Sequence, residues 1–95
     1  MAFRTTLEAD NDIAKLYSFG ALMFGLAAAT DYAESLREKF HFLSEFPRAA
    51  RERHEVRPPV RVFPHRSHIL AYRIEDEDVI ILRVLHHSVD WIEEL

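Results

Sequence analysis

Six histidines, at positions 41, 54, 65, 68, 86 and 87, are the residues here with the most obvious capacity for proton transfer or metal binding. Their spacing favours neither. His65 and His68 flank a turn, and His86 and His87 are adjacent at a strand end, so successive side chains point to opposite faces. His68, His86 and Asp90 could be assembled across a sheet, and zinc does accept histidine with carboxylate. No recognised ligand motif is present, however, and structural or interface histidines are the expectation. Ser67 and Ser88 lie close to histidines only along the chain, which does not supply the base and oxyanion site that a serine nucleophile requires. A general acid–base ribonuclease needs a base, an acid and a cation for the phosphate. His86 or His87, Glu55, Arg61, Arg66 and Arg83 could contribute to one. The competing reading makes Arg61 and Arg83 half-buried sheet residues paired with carboxylates and Arg66 a solvated turn residue. With glycine only at positions 20 and 25 there is no phosphate-cradling loop. No metal, cofactor or catalytic group is expected.

Twelve basic and sixteen acidic residues give a formal charge of −4, so the chain has no general attraction for nucleic acid. Ninety-five residues are expected to form one domain, 1–95, with a small core. The absence of cysteine excludes disulfides and thiolate metal sites and fits a reducing compartment. The start of the chain lacks the pattern of a signal peptide, and the nearest thing to a membrane segment, 22–29, is too short to span a bilayer. A cytoplasmic location without membrane association is the expectation.

Positioning elements follow from periodicity. Residues 3–5 read as a short strand. Thr6 can cap a helix whose first turn carries Glu8, where free N–H groups favour an anion. Ile13, Leu16, Tyr17, Gly20, Met23 and Phe24 recur at helical spacing, Gly20 being tolerable where helices approach closely. Gly25 provides a break. Leu26, Ala29, Ala33, Leu36, Phe40 and Leu43 form a second stripe, with Phe46 beside it, and Pro47 ends that helix. Two helices with so short a connection predict an antiparallel hairpin. Periodicity then lapses in a charged loop containing Arg48, Arg51, Arg53 and Arg57, which closes at Pro58-Pro59. Runs at 60–63, 68–74 and 79–85 are rich in branched and aromatic residues and predict strands. Glu75-Asp76-Glu77-Asp78 joins the last two, and the final run is apolar on both faces apart from Arg83, as in an interior strand. The predicted class is α+β, two layers, with an N-terminal strand and a helical hairpin packed on a small, twisted, mostly antiparallel sheet. Trp91, in the short tail after this strand, either folds back over the sheet edge or serves as an interface anchor.

The segment Phe63-Pro64-His65-Arg66-Ser67-His68-Ile69-Leu70-Ala71-Tyr72-Arg73-Ile74, followed by Val79-Ile80-Ile81-Leu82-Arg83-Val84-Leu85-His86 and then Asp90, resembles the ParE toxins of the RelE/ParE superfamily. Ala9-Asp10, Asp12-Ile13, Tyr17, Phe24-Gly25, Pro47 and Glu55-Val56-Arg57-Pro58 resemble it upstream in the same order. The resemblance implies the hairpin-on-sheet fold and the toxin role in a type II toxin–antitoxin module, with growth arrest or plasmid stabilisation as the outcome. It implies a cognate antitoxin with a DNA-binding N-terminal domain and a C-terminal segment that folds around the toxin, and, in the ParE branch, DNA gyrase as target. RelE members instead cleave messenger RNA on the ribosome. Ile69-Leu70-Ala71 lacks the arginine that often opens this strand in those nucleases, and glutamates dilute the basic cluster 48–57, so the ParE branch and a non-enzymatic toxin are favoured. His86-His87 keeps the ribonuclease alternative open, and a non-toxic antitoxin-binding member of the fold is a further one. On this reading the target-binding surface is Arg66, Arg83, His86, His87, Asp90 and Trp91, although Arg83 and Asp90 could equally serve to hold the tail. Antitoxin docking is assigned to the outer face of the hairpin at Phe19 and Phe42, together with an open sheet edge.

Overall fold

The computed structural model describes residues 2–95. In chain order it contains β1 (Phe3–Thr5), α1 (Leu7–Phe24), α2 (Leu26–Glu45), β2 (Glu52–Arg53), β3 (Val60–His65), β4 (His68–Glu75), β5 (Asp78–His86) and α3 (Trp91–Glu94). The strands form one sheet in the order β1-β5-β4-β3-β2, antiparallel throughout except where β1 runs parallel to β5. The α1–α2 hairpin covers one face of this sheet. Leu36, Phe40 and Leu43 of α2 and Ala9 of α1 meet Leu70, Tyr72, Val79, Ile81 and Val84 there.

Local chemistry accounts for the boundaries. Thr6 accepts the Ala9 N–H at 3.0 Å and so caps α1. Its own hydroxyl donates to the Leu82 carbonyl at 2.8 Å, and its N–H to that of Ile81 at 3.1 Å. This anchor falls on an irregularity of the sheet. Ala71 faces Arg83 while Tyr72 faces Ile81, so Leu82 is an extra residue in β5 and its carbonyl is free to receive Thr6. Gly25 adopts φ 93°, which a side chain would resist, and lets α2 double back on α1. A Cβ at Gly20 would lie 3.6 Å from that of Ala29, the close helix approach expected at this glycine.

Four features depart from the sequence reading. The charged loop contains β2, whose two residues pair with Arg61 and Val60, a strand too short to show any alternation. β3 continues through Pro64 to His65, which the sheet tolerates because β2 covers β3 only at its start. The apolar stripes of both helices overrun the core: Met23, Phe24 and Leu26 are exposed where the hairpin tip projects past the sheet, and Phe46 is exposed at the other end of α2. The tail forms a single turn, α3, capped by Asp90, whose carboxylate accepts the Ile92 N–H at 3.2 Å. The β4–β5 connection is a two-residue turn with Asp76 at φ 55°, a conformation aspartate accepts more readily than most residues.

Candidate functional site

The residues singled out for target contact divide into two groups. Arg83 and Asp90 are committed to the fold. The Arg83 guanidinium donates to both carboxylate oxygens of Asp12, at 2.7 and 3.0 Å, and to the Glu94 carbonyl at 3.2 Å. Asp12 also accepts the Val84 N–H at 3.0 Å, so one carboxylate seals the β5 edge beyond the reach of β1 and holds the side chain that fastens the tail. This partner raises the Arg83 pKa further, against a smaller opposing effect of burial. Trp91 is half-buried, with the Arg53 guanidinium 5.1 Å from its ring centre. The tail therefore bridges β5 and β2, with Trp91 folded back against Arg53 and part of its ring exposed.

The second group gathers at the end of the sheet beneath the hairpin tip. Arg66 occupies the β3–β4 turn at φ 52°, its guanidinium 5.7 Å from the Tyr32 ring centre. The His68 and His86 rings are 5.5 Å apart and those of His86 and His87 4.4 Å. The Ser88 N–H donates to His86 Nδ1 at 3.2 Å, with the Ser88 hydroxyl 2.7 Å from the same atom. Tyr32 Oη lies 2.6 Å from His68 Nδ1, and Ser35 Oγ lies 2.9 Å from His65 Nε2. Burial raises the Tyr32 pKa, so at neutral pH this phenol is a hydrogen-bond donor. Asp90 is engaged in the α3 cap, and no set of three His, Asp or Glu side chains among the described residues could hold a metal. The parts for a ribonuclease are likewise dispersed: Arg61 donates to the Ala50 carbonyl at 2.6 Å, and Glu55 pairs with Arg53.

Burial is the main cause that pulls the His65 and His68 pKa values below that of free histidine. Arg66 and Lys39 add to the effect at His65. At His68 the additions come from His86, His65 and His87, with Asp12 opposing. A lowered histidine pKa means that the unfolded chain takes up protons first, near pH ~6.5. The stability these residues contribute is therefore intact above about pH 6.5 and is lost as pH falls through the folded values. Melting temperatures followed from about pH 7.5 to 5 should drop more steeply for the wild type than for His65→Gln/His68→Gln. Parallel curves would show that other groups carry the acid sensitivity.

Beside this cluster, an apolar groove of about 340 Å³ is walled by Leu16, Phe19, Phe24 and Ala28 and floored by Tyr32 and His68. The side chains that form its rim are large and exposed. Phe19 is 60% accessible, Phe24 73%, and the neighbouring Leu22 83%. Phe19 and Phe42 do not form one patch: Phe19 belongs to the tip, whereas Phe42 packs on Phe46 and Phe63 far along α2. Tyr32 and Lys39 were not anticipated. The signal was present in a second stripe on α2, Ala28, Tyr32, Ser35, Lys39, Phe42 and Phe46, spaced by three and four and interrupted by polar residues.

Comparison with known proteins agrees with this architecture. Residues 3–91 match the family described as ParE toxin of type II toxin–antitoxin system, parDE. The chain is 39% identical to Toxin ParE3 of Caulobacter vibrioides over 75% of its own length and 71% of the relative's. It is 27% identical to Toxin ParE1 of the same organism over 93% and 91% of the two lengths. Its fold matches a solved chain described as the chromosomal ParDE TA system from P. aeruginosa, with a TM-score of 0.79 and 21% identity, covering 90% of this chain and 95% of that one.

Proposed function

The chain belongs to the ParE toxin family of type II toxin–antitoxin systems, and we propose that it arrests growth by binding DNA gyrase and is neutralised by a cognate antitoxin folded over its helical hairpin. One contrast carries this reading. Three of the charged side chains that a nuclease would use are spent on internal bonds, Arg83 on Asp12, Arg61 on the Ala50 carbonyl and Glu55 on Arg53. Large apolar side chains, Phe19, Leu22, Met23, Phe24 and Leu26, are by contrast exposed together at the hairpin tip. Such a surface serves binding to another macromolecule, and exposed aromatic side chains are its usual anchors.

The antitoxin side of this reading is physical as well as familial. A disordered tail that folds on docking must bury apolar area to offset its ordering, and the tip offers Phe19, Leu22, Met23 and Phe24 for that purpose. The target-binding surface is assigned to Arg66, His86, His87 and Trp91, with Arg83 and Asp90 positioning the tail that presents Trp91.

The test is gyrase supercoiling and DNA cleavage with the purified chain freed of any bound partner. Inhibition with accumulated cleaved DNA is expected. No effect at a large excess of chain would reject the gyrase target, and cleavage of messenger RNA on translating ribosomes would then support the ribonuclease branch. A His87→Ala/Trp91→Ala variant should remain folded but lose at least about tenfold in inhibitory potency, the scale of a modest interface anchor. Full potency in that variant would remove the tail from the target surface.

A further inference from the structure

The second stripe on α2 does more than border the groove. From Ala28 to Phe46 it runs roughly 27 Å at the helical rise of 1.5 Å per residue, alongside the end of β3. Beyond Arg61, the edge of β3 away from β4 has no strand beside it among the described residues, so a shallow channel lies open between this strand edge and α2. The channel changes character along its length. At the hairpin tip it is the apolar groove under Phe19 and Phe24. Its middle is a more open cavity of about 540 Å³ bordered by Ser35, Lys39, Pro64, His65 and Arg66, with Glu38 the one carboxylate on its margin. Its far end is aromatic again, where Phe42 stacks against Phe46 and Phe63 with ring centres 5.3 and 5.8 Å apart.

The two cations in the middle are held but not neutralised. The Lys39 ammonium lies 4.9 Å from the Phe42 ring centre and 5.2 Å from that of Phe63, and Arg66 lies over Tyr32. Aromatic faces orient a cation without supplying the oxygen acceptors its N–H groups prefer. Neither residue takes part in an ion pair among the described residues. The electrostatic surroundings of His65 agree with a local excess of positive charge: after burial, the forces lowering its pKa come from Arg66 and Lys39, with no carboxylate opposing them. Pro64 offers no N–H on the open edge, so an added strand could pair there only in part. Specificity in this channel must therefore come mainly from side chains.

We propose that this channel receives a segment of the antitoxin with apolar side chains at both ends and carboxylates between them, the carboxylates pairing with Lys39 and Arg66. The inference rests on the antitoxin reading and adds the chemistry of the segment and its path, between the hairpin tip and Phe42. Ends of one chemical character and a middle of another fix the register, since a shifted segment would place carboxylates on Phe19 or Phe42 and strand the two cations.

Calorimetric titration of the full chain with its cognate antitoxin tests this. Replacing both cations, Lys39→Gln/Arg66→Gln, should weaken binding by at least about tenfold at low salt and flatten its salt dependence, with the melting temperature little changed. Converting the carboxylates of the antitoxin segment to amides should give the same loss, and combining the two sets should cost little more than either alone. Wild-type affinity and salt dependence in the double variant would overturn the charge-matched channel while leaving antitoxin binding in place. Failure of the wild-type chain to bind would instead overturn the antitoxin reading itself.

Discussion

Asp12→Ala is expected to be the most damaging single polar substitution in this protein, costing about 3 kcal/mol of stability. Asp12 is a nearly buried side chain with three hydrogen-bond donors directed at it, two from Arg83 and one from the Val84 backbone. Removing it leaves a mostly covered guanidinium with only the Glu94 carbonyl, and a strand N–H with nothing. For a chain of this length, each kcal/mol corresponds to about 4–8 °C in melting temperature, so a fall of more than about 10 °C should be seen by circular dichroism. Asp12→Asn keeps an acceptor for Val84 and should cost less. The double variant Asp12→Ala/Arg83→Met should also cost less, because losing both members of a buried pair is milder than stranding one. A change within about 0.5 kcal/mol for Asp12→Ala, the usual scatter of surface positions, would show that the edge of β5 is held by β1 and Thr6 alone.

The same contact links stability to function. Arg83 holds both α1, through Asp12, and the tail, through the Glu94 carbonyl. An Asp12→Ala protein that remains folded at low temperature should therefore present Trp91 less firmly and inhibit its target less well. Its loss of potency should exceed its unfolded fraction.

The comparison of sequence with structure separates two kinds of signal. Elements set by local rules were legible: the Thr6 cap, the Gly25 break, the Pro47 stop and four of the strands, because each depends on one residue or on a short run. The site was only partly legible. Arg83 was recognised as half-buried, but its partner Asp12 lies 71 positions away and nothing local couples them. Likewise Tyr32 and His68 come together only when α2 crosses the β3–β4 turn. β2 was missed because its two residues carry no pattern of their own and are placed by β3. The outward overrun of the helix stripes is a third case. An apolar face predicts burial against something, and at the hairpin tip that something is not this sheet.

That unpaired apolar surface leads to the other large effect. Phe19→Asp should leave the fold intact and weaken the antitoxin complex by about 2 kcal/mol, or roughly thirtyfold, the loss typical of an interface anchor. Phe19 is 60% accessible and lies on the wall of the groove, so little core packing is disturbed, and an added aspartate on an exposed helix face costs only a few tenths of a kcal/mol. Phe42→Asp makes an informative contrast. Its ring packs on Phe46, Phe63 and the Lys39 ammonium, so an aspartate there should lower the melting temperature as well as the affinity. The measurement is a titration with the antitoxin alongside thermal unfolding of each free variant. If Phe19→Asp binds as tightly as the wild type, the hairpin tip is not the antitoxin anchor, and the apolar surface there must face another macromolecule. If both variants lose affinity but only Phe42→Asp loses stability, docking spans the length of α2, with the tip free before binding and the far end already packed.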